Sequence, residues 1–321
     1  MELHFLGTSA GVPTKNRNVS AIGLSESKGK RWYLIDCGEG TQHQLLRSRL
    51  SLNSLEAIFI THVHGDHCYG LPGVLASAGM NGRKTPLTIV APRGIQEWLE
   101  ATQKHTVLNL PYELRYLCSE TDILPDFGQF TVSATALSHV IPSFSYGFTE
   151  NDTVASLDTD KLAEKGIPRG PLWGELQAGA DVCFNGKPIL SRDFLKHTHK
   201  PRKIIICGDN DTPSLLKEEC INCDVLVHEA TFTETMAEKA REFGHSFARQ
   251  VAQFSQDNRI PNLLLTHFSP RFSPLVSGSP SIHDLKREAE SVYSGQLFLA
   301  EDFQRYRLDK MGVLSLSDRT T

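Results

Sequence analysis

The sequence lacks the features that would commit it to a membrane, to secretion or to a broad electrostatic grip on nucleic acid. No apolar run is long enough to span a bilayer. The first residues, with Glu2 and His4, do not have the basic-then-apolar layout of a signal peptide, so a cytoplasmic chain is expected. The formal net charge is −4, whereas a protein that grips nucleic acid over a wide surface carries a basic excess. Positive charge is local. It gathers at Lys15 and Arg17, and in a run of Arg192, Lys196, Lys200, Arg202 and Lys203 expected as a solvated face. No short-period repeat and no low-complexity tract interrupts the chain. The seven cysteines include one Cys-x-x-Cys spacing, Cys220 to Cys223, but no second pair and no histidines at finger spacing follow. Cys220, at the end of an apparent helix, and Cys223, at the start of a strand, are expected as buried thiols in a reducing compartment.

What is present is an ordinary globular composition. With 40% hydrophobic and 22% charged residues over 321 positions, the chain can bury a sizeable core without staples. Strand and helix patterns alternate. Apolar runs at 3–5, 32–35, 55–60, 87–90, 130–137, 203–207, 224–227 and 262–265 predict strands, and 41–46, 69–78 and 94–104 predict helices. This alternation predicts an α/β fold: a four-layer sandwich with helices outside two sheets, one domain over residues 1–321. The rhythm breaks between about 150 and about 200. There a helix over 157–165 leads into Gly166, Pro168, Gly170, Pro171, Gly174, Gly179, Gly186 and Pro188. Long irregular segments inside compact domains are uncommon and usually functional, so an inserted, protruding arm is expected.

The densest chemistry is His62-Val63-His64-Gly65-Asp66-His67, directly after the buried-strand pattern. Imidazole and carboxylate are zinc ligands, and a catalytic zinc with an open position usually takes three protein ligands. Four candidates in six residues point to two adjacent metals and hence to hydrolysis. Three later strands also end in ligand-type residues: Gly208-Asp209, His228-Glu229 and Thr266-His267. In layered α/β folds, sites gather beyond strand ends. His62 and His64, two apart on extended chain, point the same way and with His139 make one nitrogen set. Asp66, His67 and His267 make the other, and Asp209 has an oxygen for each. Asp66 is also placed to take a proton from the attacking water. Asp211 is a rival for the bridge. His43, His105, His197, His199 and His283 are expected at the surface.

With these motifs in hand, the chain resembles the metallo-β-lactamase superfamily and, within it, the ribonuclease Z family. His62–His67 is similar to the superfamily's H-x-H-x-D-H motif, and Asp36 to its early structural aspartate. Pro13-Thr14-Lys15-Asn16-Arg17-Asn18 resembles the family's P-x-K-x-R-N loop, His228-Glu229-Ala230-Thr231 its H-E-A-T, Gly244-His245-Ser246 its G-H-S and Ala300-Glu301-Asp302-Phe303 its A-x-D-x. Gly166-Ile167-Pro168-Arg169-Gly170-Pro171 resembles the Gly-Pro stretch of an arm that grips the tRNA elbow. The resemblance implies a two-zinc (or manganese) phosphodiesterase that removes the 3′ trailer from precursor tRNA, with no DNA and no membrane as partner. It implies Glu229 orienting and charging His245 as a catalytic pair beside Asp66, with RNA contacts from Lys15, Arg17, Asn18, Arg169, Gly170 and Pro171. It also implies a homodimer. The alternative expectation is a hydrolase of small phosphodiesters or thioesters on the same metal pair. Here the chain departs from the family where Asn210 follows Asp209, and where Arg169 replaces a second proline.

Overall fold

The computed structural model describes residues 1–27, 29–151, 156–196, 199–272 and 280–317; His197 lies outside them. The chain divides into two compact units, Met1–Thr149 with Lys203–Thr321, and Glu150–Arg202.

The first unit is built on two mixed sheets. One has eight strands in the order Leu314–Leu316, Arg305–Leu308, Glu2–Gly7, Ala21–Ser25, Trp32–Ile35, Leu55–Phe59, Leu87–Ala91, Leu114–Cys118. The other has six, in the order Gln296–Leu299, Asn262–Thr266, Val225–Glu229, Lys203–Cys207, Ser143–Glu150, Phe130–Leu137. Neighbours from Trp32–Ile35 to Leu114–Cys118 run parallel, as do those from Lys203–Cys207 to Gln296–Leu299.

The central strands are largely apolar through their middles because both faces are covered. Successive side chains alternate between two cores. Tyr33, Ile35, Ile204 and Ile206 enter the layer between the sheets, with Phe5, Phe59, Phe130, Tyr146 and Phe148. Trp32, Leu34 and Ile58 pack outward under the helices Leu71–Met80 and Ile95–Thr106. Ile205, Leu226 and Leu263 pack outward under Ala248–Asp257 and Ile282–Glu290. Helix, sheet, sheet and helix give the four-layer αββα sandwich.

Several expected boundaries shift. The helix expected over 69–78 runs Leu71–Met80, behind a separate turn of helix at Gly65–Cys68. The helix expected over 157–165 runs Thr159–Glu164, capped by Asp158, whose side chain accepts from the Lys161 amide. Leu157 belongs instead to a two-residue strand paired with Leu195 and Lys196. The helix expected to end at Cys220 is a single turn of 3-10 helix, Pro213–Leu216, followed by turns. Cys220 and Cys223 are buried free thiols, each 6% exposed. No helix among the described residues is long and apolar enough to cross a membrane.

The second unit, Glu150–Arg202, has a small core of its own: Leu162, Ile167, Leu176, Val182 and Phe194. The basic run read as a solvated face is not one throughout. Arg202 is buried and paired through its guanidinium with Glu150, and Lys203 is bound to the Glu219 carboxylate at 2.7 Å, because both begin buried backbone. His199 is likewise not a free surface residue: it meets Glu150 at 3.1 Å with its side chain 8% exposed. His283 is half-buried; His43 and His105 are exposed.

Candidate metal centre

Parallel strands deliver their C-terminal ends to one place. Leu55–Phe59 leads into Thr61–His67, Lys203–Cys207 into Asp209, Val225–Glu229 ends on Glu229, and Asn262–Thr266 leads into His267. The approach is close. A Cβ on Gly208 would stand 2.5 Å from the Thr61 Cβ, so only glycine lets Asp209 reach the histidine motif.

The hydrogen bonds at the back of the imidazoles decide which nitrogen faces forward. His67 Nδ1 donates to Asp36 at 2.7 Å, and Asp36 also accepts the Thr61 amide at 2.8 Å and hydroxyl at 3.0 Å. His62 Nδ1 meets that same hydroxyl at 3.0 Å. His139 Nδ1 donates to the Gly244 carbonyl at 2.8 Å. His267 Nδ1 donates to Thr231 Oγ1 at 3.0 Å, and that hydroxyl donates to Glu229 at 2.6 Å. His267 needs a left-handed backbone, φ 55°, to aim its ring this way. Four rings therefore turn Nε2 forward, while His64 presents Nδ1.

These nitrogens face one another. His64 Nδ1 lies 3.2 Å from both His62 Nε2 and His139 Nε2, and His67 Nε2 lies 3.2 Å from His267 Nε2. Acceptor facing acceptor is repulsive unless a cation sits between them. Nitrogens bound to one tetrahedral zinc lie about 3.3 Å apart, from bonds of about 2.0–2.1 Å. Asp209 supplies the link: one oxygen is 3.5 Å from His62 Nε2 and the other 3.5 Å from His67 Nε2. Asp66 Oδ2 lies 3.3 Å from His267 and 3.5 Å from His67, and takes the Gly11 amide at 2.7 Å. The donor set thus falls into His62, His64, His139 and Asp209 on one side, and Asp66, His67 and His267 on the other, with the second Asp209 oxygen turned toward the latter.

Electrostatics agree with a cation site. Burial and the His67 charge push the His62 pKa down to about 4, so the ring is neutral and able to ligate. Burial opposes charge on His67, but Asp36, Asp66 and Asp209 raise its pKa well above the ordinary value. The carboxylates demand positive charge, which a metal supplies with release of the proton. Asp211 is no rival: its Oδ1 accepts from Thr212 at 2.6 Å and its amide binds the Ser138 carbonyl, which turns it away.

Glu229 is 1% exposed and accepts from His245 Nδ1 at 2.9 Å. Burial alone would lower the His245 pKa; the Glu229 anion overrides it and holds the imidazolium to about pH 9. The pair is neither a helix cap nor a surface contact.

The loop residues separate. Lys15 is exposed. Arg17 and Asn18, expected as RNA contacts, are half-buried and also bonded within the fold. Arg17 Nη1 donates to Thr8 Oγ1 at 2.7 Å and to the Ala300 carbonyl at 2.6 Å, and the guanidinium lies 4.9 Å from the Phe268 ring centre. The Asn18 amide binds Asp302 at 2.6 Å, and its side chain binds the Glu39 carbonyl at 2.9 Å. A loop of small and proline residues has no core to hold it, so these side chains do. In the second unit Arg169, Gly170 and Pro171 are exposed, with the Arg169 guanidinium 5.5 Å from the Trp173 ring centre.

Sequence reasoning gave no role to Thr61, read Thr231 and His228 only as part of the H-E-A-T motif and a strand end, and read Asn210 only as a departure from the family. Asn210 Nδ2 binds the buried His228 at 3.0 Å, its amide binds Glu229 at 3.1 Å, and its carbonyl accepts from Ser246 at 2.6 Å. For Thr61 and Asn210 the signal was position, since each adjoins a candidate ligand.

Fold and site together define a metal-dependent hydrolase of the metallo-β-lactamase fold. Residues 1–165, just over half the chain, match the family model described as Anti-Pycsar protein Apyc1. A ribonuclease Z of Pseudomonas putida is 50% identical over 318 residues, covering 99% of this chain and 100% of that protein. A ribonuclease Z of Marinobacter nauticus is 48% identical, covering 97% of each. The crystal structure of human tRNase Z, short form, superposes with a TM-score of 0.68 at 27% identity, covering 96% of this chain and 100% of that one. The chain belongs to the ribonuclease Z family and, over its first half, to the family of that Apyc1 model.

Proposed function

We propose that the protein is a metal-dependent endoribonuclease that removes the 3′ trailer from precursor tRNA, leaving a tRNA with a 3′ hydroxyl and a trailer with a 5′ phosphate. The observation that carries this reading is Asp209, with one oxygen toward each of two facing histidine sets, in a chain half identical to ribonuclease Z along its whole length. His62, His64 and His139 would hold one divalent cation, Asp66, His67 and His267 a second, and Asp209 both. Zinc suits the nitrogen-rich set, with manganese the alternative. When bound, such a pair acidifies water and neutralises charge at phosphorus.

The chain's own groups do the rest. Asp66 takes a proton from the attacking water. His245, kept protonated by Glu229, donates to the 3′ oxygen as its bond to phosphorus breaks. Thr61, Asp36, Gly244 and Thr231 hold the rings so that no reorganisation is needed. Lys15 supplies a phosphate contact, and Arg17 and Asn18 set the loop that carries it. The Glu150–Arg202 unit acts as the arm that holds the tRNA body, through Arg169, Gly170 and Pro171. In a cytoplasmic homodimer, each arm would serve the partner's site.

The test is cleavage of a precursor tRNA carrying a trailer, with and without chelator, with both ends mapped and metal counted by elemental analysis. A chelator-sensitive cut beside the acceptor stem is expected. Absence of any such cut in a metal-loaded sample overturns the reading. Sedimentation of the same sample tests the dimer.

A further inference from the structure

We propose that Tyr69 forms a stacking platform for an unpaired nucleobase next to the scissile phosphate; the role rests on the RNA-cleaving reading above. Tyr69 stands two residues beyond His67 and is 63% exposed. Its hydroxyl has no hydrogen-bond partner among the described residues, so the ring is not there to anchor the fold. Yet its place is fixed. A Cβ on Gly65 would lie 2.2 to 2.5 Å from three atoms of the ring, so the ring packs on the bare backbone between His64 and Asp66. On its other flank the half-buried Trp98 ring lies 6.2 Å away, tilted by 38°. An exposed aromatic is thus locked onto the backbone that carries the metal motif.

It is not alone. Val63, between His62 and His64, is 37% exposed, and Val140, next to His139, is 61% exposed. Apolar side chains left in water beside a cluster this polar gain nothing for folding. They suit a substrate that carries charge and flat apolar faces side by side. Single-stranded RNA is that substrate: phosphate goes to the charged centre, and the adjoining base, freed from its helix, lies on an aromatic ring.

Tyr69→Ala, Tyr69→Phe and the wild type would be compared in single-turnover cleavage of precursor tRNA, on intact substrate and on substrates abasic at either nucleotide flanking the cut. Loss of one base stack weakens half-saturation by about 5- to 150-fold. Tyr69→Ala should lose that much on intact RNA, and Tyr69→Phe should keep wild-type behaviour. On one of the two abasic substrates, wild type and Tyr69→Ala should become equal. The idea is overturned by an unchanged Tyr69→Ala, by an equal loss on intact and both abasic substrates, or by loss of bound metal from Tyr69→Ala. Should the wild type cleave no precursor, the functional reading fails separately. Stacking is then judged by fluorescence anisotropy of a short labelled oligoribonucleotide, where equal affinity of wild type and Tyr69→Ala sinks it.

Discussion

His67 and His245 make the same bond and face different ways. Each ring holds a buried carboxylate through Nδ1, Asp36 at 2.7 Å and Glu229 at 2.9 Å. Behind His67, however, Asp36 also takes two bonds from Thr61, and ahead of it Nε2 meets His267 and two aspartates. Its side chain is 2% exposed. His245 is 15% exposed, and its nearest aspartate contact is 3.7 Å from the nitrogen already bound to Glu229. An anion behind an imidazole makes it a better ligand and a more persistent acid alike. The surroundings in front would select the use: His267 and two aspartates around Nε2 suit His67 to ligation, and a more open face suits His245 to the proton donation proposed above.

Substitution separates these roles. The largest effect is expected from His67→Ala or Asp66→Ala, which remove first contacts to a cation; cleavage should fall to background and bound metal should drop below the wild-type count. His245→Ala should lower kcat by about 10²- to 10⁴-fold, the range of general acid catalysis, with the metal count unchanged. If His245→Ala also empties the site, the contrast between the two rings is wrong, and His245 belongs to the set of Asp209 and His267 that its position also allows.

The carboxylates give a smaller, sharper contrast. Asp36→Asn should weaken metal affinity by about 10- to 100-fold, as loss of outer support to a ligand does, and saturating metal should restore cleavage. Glu229→Gln should not be restored in that way, since its partner is the donor. Titration of apoprotein with zinc, followed by cleavage at each concentration, distinguishes the two.

Much of this centre was legible because its residue types are rare in company. Four ligand-type side chains in six residues after an apolar strand have few uses in a core, and Gly208-Asp209 and Thr266-His267 end strands of the same kind. Spacing could also assign His62 with His64, since a strand returns to one face every second residue. What stayed hidden is the work of residues whose partner is distant in sequence. Arg17 and Asn18 look like phosphate ligands on an exposed loop, and only the return of Asp302 and Ala300, some 280 residues later, turns them inward. Thr61 and Thr231 carry no signal of their own, because a threonine is as good in a strand as behind a histidine. The helix expected from residue 157 starts at Thr159 because the Asp158 side-chain cap outranked apolar periodicity.

A third histidine–carboxylate pair extends the comparison to a place outside the metal-ligand groups found among the described residues. In the Glu150–Arg202 unit, Glu150 takes His199 at 3.1 Å and the Arg202 guanidinium, and all three side chains are nearly buried. Here the carboxylate faces a permanent cation, so its effect should be on stability. Burial would raise the Glu150 pKa, but Arg202 and His199 hold it down to about 2. A carboxyl depressed in the folded state stabilises fully above its ordinary value of 4.5, and that contribution is lost as pH falls from there toward 2. Glu150→Gln should remove this acid dependence and the charge that faces the buried Arg202 guanidinium, so the unit should lose stability above pH 4.5. Hydrogen exchange of the amides in this unit, from pH 5 down to pH 3, would register both effects. Unchanged exchange at pH 5 would mean that water replaces the lost partner.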